Sequence, residues 1–309
     1  MLIELLSKTS GIDEAKLMSL AETASKRYKV YTIPKRAGGN RLIEHPSREL
    51  KAIQRWLVRA IFARFPVHEA ATAYRKGAGI RKNAERHQYT RFANRYDFKN
   101  FFPSFAADRV RLFVREQAKV LGMELSEQDL DFVVNIVCRH GKLTIGAPSS
   151  PAITNAMMFE FDQRMHQECE KRGLIFTRYA DDIFVSAGEA GRLRSIGQLI
   201  AKCKRGIPHL QLRLNQSKTA HLSKKYRRTV TGVVITPQNT LSIGRERKRE
   251  IKSLIHRWIK DELDGERVSY LRGLFAFAID IEPDFEERLI GKYGADAITR
   301  LRGIEPELF

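Results

Sequence analysis

The chain has 309 residues, 55 Lys and Arg against 36 Asp and Glu, and a formal net charge of +19. That length exceeds what one compact core usually organises, so lobes or two domains are expected. Hydrophobic residues at 43% beside 29% charged ones argue against a disordered chain, and no stretch approaches the roughly 20 apolar residues of a membrane span. The N-terminal segment MLIELLSKTSGIDEAK has no basic leader and no small-residue cleavage site, so no signal peptide is expected. Cys138, Cys169 and Cys203 are widely spaced in apolar surroundings and read as reduced thiols of a cytoplasmic protein, not as a disulfide frame or a zinc site. The charge favours a polyanionic partner, nucleic acid first. A basic membrane-surface protein is the weaker option, because no segment joins a basic face to a clean apolar one.

In chain order, Ser10 to Ser25 reads as a first helix with Ser10 as its cap and Asp13 three residues on. RYKVYTI (27–33) and RLIEH (41–45) alternate around AGGN (37–40), which predicts a β-hairpin. Ser47 caps a helix whose Leu50, Ile53, Leu57 and Ile61 keep helical spacing. RFANRYDF (91–98) reads as a strand ending on an acid. Two helices follow, one from Asp108 and one capped by Ser126 with Asp129 completing its box and Gly141 closing it. Ser150-Pro151 opens a long helix to about Arg172. LIFTRYADDIFVSAG (174–188) predicts strand, turn and strand, then come a helix over 191–204, a strand at LQLRL (210–214), and a hairpin of RTVTGVVI with LSIG around Gln238-Asn239. From Arg245 onward the pattern is helical.

The middle therefore reads β (91–98), α (151–171), ββ (174–186), α (191–204), β (210–214), an order that suits a ferredoxin-like split-βαβ sheet in an α+β protein. A boundary is expected near Thr236-Pro237, where mixed structure gives way to helices. Charge is uneven. Ala190 to Arg245 holds twelve Lys/Arg and no acid, and Arg75 to Arg95 is opposed only by Glu85, whereas Asp261 to Phe309 holds twelve acids against six bases. A single charge run usually marks a solvated face. Fifty-six residues without a carboxylate point instead to a groove that tracks phosphates, with salt-dependent binding.

Asp181-Asp182 lies between two apolar β segments, so the turn sets adjacent carboxylates at a hairpin tip. Asp97 ends another strand, and in a ferredoxin-like sheet the two strands can be neighbours. Three crowded carboxylates repel unless cations neutralise them, which suggests a hard-metal site favouring Mg²⁺. Two such ions roughly 4 Å apart would serve a phosphoryl transfer. Alone, Asp-Asp in a turn is ordinary turn chemistry; the joint occurrence within a strongly basic chain gives it weight.

Tyr179-Ala180-Asp181-Asp182 resembles the YxDD box of reverse transcriptases, and YDFKNFFPS (96–104) resembles their first carboxylate motif. GAPSSP (146–151) and NQSKT (215–219) are similar to the family's intervening loop-to-helix and later lysine-bearing motifs. PSRELKAIQRW (46–56), NAERH (83–87), RYADD (178–182) and the VTG box Val230-Thr231-Gly232 narrow the resemblance to bacterial retron reverse transcriptases. The resemblance implies a right-hand polymerase: fingers and palm over 1–236 (fingers mostly 1–90 and 105–148) and a helical thumb over 237–309, with no fused second enzyme. It implies Asp97, Asp181, Asp182 and the Phe98 carbonyl as ligands of two Mg²⁺ ions (Mn²⁺ as substitute), and Lys218 as a proton donor to pyrophosphate.

It further implies that Phe102 gates the incoming sugar and that Arg41, with Lys35 and Arg36 as looser candidates, contacts the triphosphate. Asn83, His87 and Thr231 would meet the partner RNA. Arg245 and Lys248, on RERKREIKSLIHRWIK (245–260), would line a duplex groove. Sequence alone also permits a core phenylalanine at 102, a solvated Arg41, a structural His87 and a plain strand at VTGVVI. Ile145 departs from the glutamine that most members of the resembled family carry, which by that resemblance removes a hydrogen-bond partner for the nucleotide sugar. The implied activity is RNA-directed DNA synthesis from dNTPs on a structured noncoding RNA. Priming would be from an internal guanosine 2′-hydroxyl, giving branched multicopy single-stranded DNA in phage defence, with a separate effector protein as a further partner. Rival readings are a group II intron-like or other bacterial reverse transcriptase, a catalytically idle RNA-binding module, and a metal nuclease.

Overall fold

Alternation and capping set the elements of the computed structural model, which describes residues 2–35, 38–226 and 228–303. Arg36, Ala37 and Arg227 lie outside the described residues. Two helices, α1 (Leu2–Ser10) and α2 (Glu14–Thr23), precede the hairpin of β1 (Tyr28–Pro34) and β2 (Asn40–Pro46) and the helix α3 (Arg48–Ala60). The single helix expected over 10–25 is thus divided. Ser10 closes α1 by donating to the Leu6 carbonyl, Gly11 turns at φ +69°, and Asp13 is the cap of α2, accepting from the Ala15 N–H. Ser47 caps α3 by accepting from the Leu50 N–H, and the helix buries Leu50, Ile53 and Leu57, as its spacing requires.

Then come α4 (Ile80–His87), β3 (Phe92–Asp97), α5 (Ala107–Val120), α6 (Glu127–Val137), α7 (Ser150–Met157) and α8 (Phe159–Glu170). The Ser126–Asp129 capping box forms, and α6 ends at Val137, ahead of Gly141. The long helix expected over 150–172 divides at Met158. Within it the Thr154 hydroxyl donates back to the Ser150 carbonyl, a competition that bends helices. β4 (Ile175–Tyr179), β5 (Asp182–Ala187), α9 (Ile196–Lys204) and β6 (Ala220–Ser223) complete the central unit.

The four central strands are antiparallel in the order β4-β5-β3-β6, the order of a ferredoxin-like palm. Its fourth strand is β6, not the segment 210–214. That segment follows a turn closed by Leu210 N–H on the Ile207 carbonyl and makes one bridge, Leu214 to Phe98. The main core joins the Tyr96, Ile183 and Val185 face of this sheet to α8 and α9, and extends under α3, α5 and α6.

A second sheet, β7 (Arg228–Val230), β8 (Val233–Ile235) and β9 (Leu241–Ser242), leads into α10 (Arg245–Ile259), α11 (Gly265–Ile281), α12 (Asp284–Tyr293) and α13 (Ala295–Arg302). These elements share a separate core that includes Val230, Val233, Ile251 and Phe275, with Ala84 of α4 and Phe184 of β5. Thr236-Pro237 sits inside the β8–β9 turn, where the Thr236 N–H donates to Thr240. The β-structure of the second unit therefore starts before the expected boundary. Among the described residues no helix is long and apolar enough to cross a membrane.

The loop before α7 is tied to the hairpin: the Glu44 N–H donates to the Ile145 carbonyl at 2.8 Å. At Gly146, φ is +117° and an added Cβ would lie 2.8 Å from the Glu44 carbonyl oxygen. Gly146→Ala is therefore expected to cost about 1–3 kcal/mol, read as a lower urea midpoint at an unchanged denaturant slope.

Candidate active site

Strand periodicity puts Arg95 and Asp97 of β3 on one face with Asp182, Phe184 and Ser186 of β5. In register, Asp97 stands opposite Asp182 and Arg95 opposite Phe184. α4 covers the far end of this face, while Asp181 and Asp182 at the near end are half-buried. Like charges directly opposed across strands are unfavourable, so the pairing needs a compensating charge.

The tip itself is a two-residue turn, Ala180-Asp181, because Tyr179 pairs with Asp182. Ala180 has φ +54°, a conformation that suits glycine and costs an L residue about 1 kcal/mol or more. A buried arginine holds it there. Arg178 donates from Nη1 to the Ala180 carbonyl at 3.1 Å and to Asn155 Oδ1 at 3.2 Å. Its Nε and Nη2 fork onto Asp162 at 2.7 and 2.6 Å, and neither side chain of that pair has exposed surface. The Arg178 backbone also binds the segment before Tyr74, through Ala70 and Thr72. Asn155 Nδ2 donates to the Ala73 carbonyl at 2.8 Å. Tyr74 follows at φ +57° with 57% of its surface exposed.

Asp97 is 5% exposed. Its Oδ2 accepts from Lys218 Nζ at 2.8 Å, and its buried Oδ1 has no hydrogen-bond partner. Burial, then the Asp97 charge, raises the Asp181 pKa, which Lys218 and Arg41 partly offset. Burial, then the Asp181 charge, pushes Asp182 up to about 6, with Arg95 acting against the shift. Buried polar atoms are nearly always paired, so the bare Asp97 oxygen beside two carboxylates fits a hard divalent cation.

The main chain supplies another oxygen. The Asp97 carbonyl accepts from the Asn215 N–H and the Lys99 N–H donates to Arg213, so the Phe98 peptide groups turn the other way, where its N–H donates to the Asp181 carbonyl. Among the described residues no three His, Cys, Asp or Glu side chains close on one point. The donors that could hold a metal are therefore Asp97, Asp181 and the Phe98 carbonyl, with Asp182 beside them. Such an open set of oxygen donors fits a hard divalent cation.

Other expected residues divide into two groups. Phe101 supplies the core ring of its pair at 5% exposure, and Phe102 stays half-buried with its ring 6.5 Å from that of Tyr74. Arg41 is exposed on β2, and its charge reaches both Asp181 and Tyr74. Arg245 is exposed at the start of α10. At Ile145 the carbonyl accepts from the Glu44 N–H.

Asn83 and His87 lie inside the protein, and Lys248 is engaged in an ion pair. His87 has no exposed surface: its Nδ1 lies 2.6 Å from Ser186 Oγ and its Nε2 2.7 Å from Thr177 Oγ1. Burial, then the Arg228 charge, lowers its pKa to about 3. It is a structural histidine that fixes α4 to the sheet and cannot touch RNA. Asn83, also fully buried, donates to Thr231 Oγ1 at 3.4 Å. The two boxes therefore meet each other. Thr231 remains half-buried at the β7–β8 turn, at φ +47°. Lys248 Nζ pairs with Glu282 Oε1 at 2.6 Å, which turns it into the helical unit. The acid-free tract is likewise not all groove, since buried Arg228 donates to the Thr90 and Gln88 carbonyls.

Tyr74 and Arg95 carry no signal in the linear pattern. Arg178 opens the RYADD motif, but its hold on the Ala180 turn is visible only in the structure.

The reverse transcriptase (RNA-dependent DNA polymerase) family matches residues 33–235. The chain is 35% identical over 283 residues to the retron Ec83 reverse transcriptase of Escherichia coli, covering 89% of each chain. It is 31% identical to the retron Ec86 reverse transcriptase of the same organism, covering 96% of this chain and 92% of that one. This chain is a retron reverse transcriptase. It is an RNA-directed DNA polymerase with the right-hand fold, of a family that generally uses divalent metal ions. Among solved structures, telomerase from Candida albicans, in complex with the TWJ fragment of telomeric RNA, aligns at 11% identity with a TM-score of 0.48, covering 90% of this chain. The chain spans 61% of that telomerase chain.

Two outcomes follow for this retron enzyme. Arg178→Met strands Asp162 in the core and is expected to cost about 3–5 kcal/mol in denaturant unfolding. The raised carboxylate pKa values mean that the folded protein holds protons the unfolded chain has lost. Their stability contribution is complete below the unfolded value of 3.8 and disappears as pH rises through about 6. Metal-free protein is therefore expected to lose melting temperature across that window, and Asp182→Asn to flatten the loss.

Proposed function

We propose that this polymerase copies a structured noncoding RNA into branched multicopy single-stranded DNA, primed from the 2′-hydroxyl of an internal guanosine. Its setting is the cytoplasm of a cell defending itself against phage, alongside a separate effector protein. The observation that carries the catalytic part is the Asp97 carboxylate, buried with one oxygen bare and the other on Lys218. The retron relatives at 35% and 31% identity support the RNA-templated part.

In this reading Asp97, Asp181 and the Phe98 carbonyl would hold two Mg²⁺ ions, with Asp182 as a weaker or outer partner; bound there, the ions would supply activation of the primer hydroxyl and charge stabilisation for the leaving pyrophosphate. Lys218 keeps its ammonium against Asp97 until nucleotide arrives, then gives a proton to the departing pyrophosphate oxygen. Arg41 binds the triphosphate from the hairpin. Phe102 and Tyr74 together form the wall against the sugar, so that a 2′-hydroxyl meets an aromatic ring. Arg178 keeps the Asp181 carboxylate aimed by fixing Ala180. The fingers and palm extend to the segment before Arg228, and the thumb comprises β7–β9 and α10–α13. Arg245 and Thr231 face the duplex in this arrangement.

The deciding experiment is sequencing of nucleic acid that co-purifies with the protein from its native locus. The reading requires RNA–DNA joined by a 2′–5′ linkage; linear cDNA alone would favour another class of bacterial reverse transcriptase. Asp181→Asn should abolish Mg²⁺-dependent extension while leaving RNA binding within about twofold, because it removes a ligand and not a phosphate contact. Phe102→Val should raise kcat/KM for ribonucleotides relative to dNTPs, measured by single-nucleotide incorporation.

A further inference from the structure

A second basic surface lies away from the carboxylates, on the outer side of α3. A groove of about 730 Å³ is lined by Lys26, Arg27, Lys29, His45, Arg48, Lys51 and Arg55, and no acid contributes to its wall. α3 explains why. Leu50, Ile53 and Leu57 face the core, so Arg48, Lys51 and Arg55 take the opposite side, about 5 Å apart per helical turn. Glu49, on the neighbouring side, pairs with Arg27 at 3.3 Å. Among the described residues Lys26, Lys29, Arg48 and Arg55 make no ion pair, and Lys51 Nζ lies 2.6 Å from His45 Nε2, so two basic groups meet without an acid.

The groove is separate from the polymerase cleft. Lys29 pairs with His45 at one end of the β1–β2 hairpin and Ile33 with Arg41 at the other, four residues or about 13 Å along the strand.

We propose that this groove binds the phosphate backbone of a double-helical stem in the nucleic acid that the enzyme carries, outside the catalytic cleft. The row of cations on α3 offers successive contacts to one strand, which is how backbone recognition works without sequence reading. The lining also argues for a duplex over a single strand. Single-strand sites stack bases on free aromatic rings, and both rings here are already engaged: the Tyr28 hydroxyl accepts from Gln54 at 3.0 Å with the Arg139 guanidinium 5.6 Å from its ring, and His45 Nε2 lies 2.6 Å from Lys51 Nζ.

The test uses the full chain with its cleft saturated by a primer–template, titrated with a blunt 16-base-pair RNA duplex or its DNA counterpart over a range of salt. The proposal rests on the cleft being the polymerase site, and primer extension reads that separately. Wild type should bind a second duplex. Arg48→Ala/Lys51→Ala/Arg55→Ala should lose tenfold or more in affinity, with the log–log salt slope falling by about 2–3. Its extension rate at saturating primer–template should be unchanged. Arg48→Lys/Arg55→Lys, which keeps the charge and the fold, should retain binding. Preference for one duplex identifies the stem as RNA or as DNA product. Equal affinity and slope in the triple variant would overturn the proposal, as would tighter binding of an acidic peptide such as poly-glutamate than of either duplex.

Discussion

Two aspartates face each other across the central strands, a third sits on the adjoining turn, and one oxygen of the most buried has no partner. A sheet that served stability alone would not gather these charges, since burial and mutual repulsion hold Asp181 and Asp182 above their usual pKa. The arrangement is unfavourable without a counter-charge and becomes favourable with divalent cations, which are also what nucleotidyl transfer requires. Strain and function therefore coincide at this end of the palm.

Much of the surrounding structure keeps that cluster in place. Arg178 crosses beneath the sheet to grip the turn, and its charge is met by Asp162, fully buried alongside it. A buried pair of this kind contributes little net stability, yet its loss is costly; here it fixes the geometry of a turn that alanine would otherwise resist. The same arginine orders the segment leading to Tyr74, so the catalytic turn and the aromatic wall share one support. From the other face, α4 is locked to the sheet by His87 and to the β7–β8 turn by Asn83. The palm and the helical unit are thereby joined through the two motifs that mark retron enzymes.

The parts legible in the sequence were those with strong local signals. Alternation gave β3, β4, β5 and the β1–β2 hairpin, and the capping residues Ser47 and Ser126 gave two helix starts. The carboxylates were legible because they interrupt apolar strands in a fixed order. The segment 210–214 alternates like a strand, but pairing depends on what lies beside it, and the edge position went to β6. His87 and Asn83 were misplaced because a polar side chain in a helix looks the same whether its partner is RNA or a hydroxyl across the core. Lys248 looked free for the same reason: Glu282 lies 34 residues on. Charge runs, too, count residues without saying where each one points, as buried Arg228 demonstrates. The acidic segment that follows is partly spent internally, with Glu282 meeting Lys248 and Arg288, and Glu286 meeting Arg302.

The role proposed for this carboxylate cluster, holding divalent cations for nucleotidyl transfer, is open to a count of bound Mn²⁺ ions by electron paramagnetic resonance, in complexes with primer–template and a non-hydrolysable dNTP. Wild type should bind two ions in the cleft, and Asp97→Asn and Asp181→Asn should each lose at least one while still binding primer–template. An unchanged ion count in both variants would rule that role out.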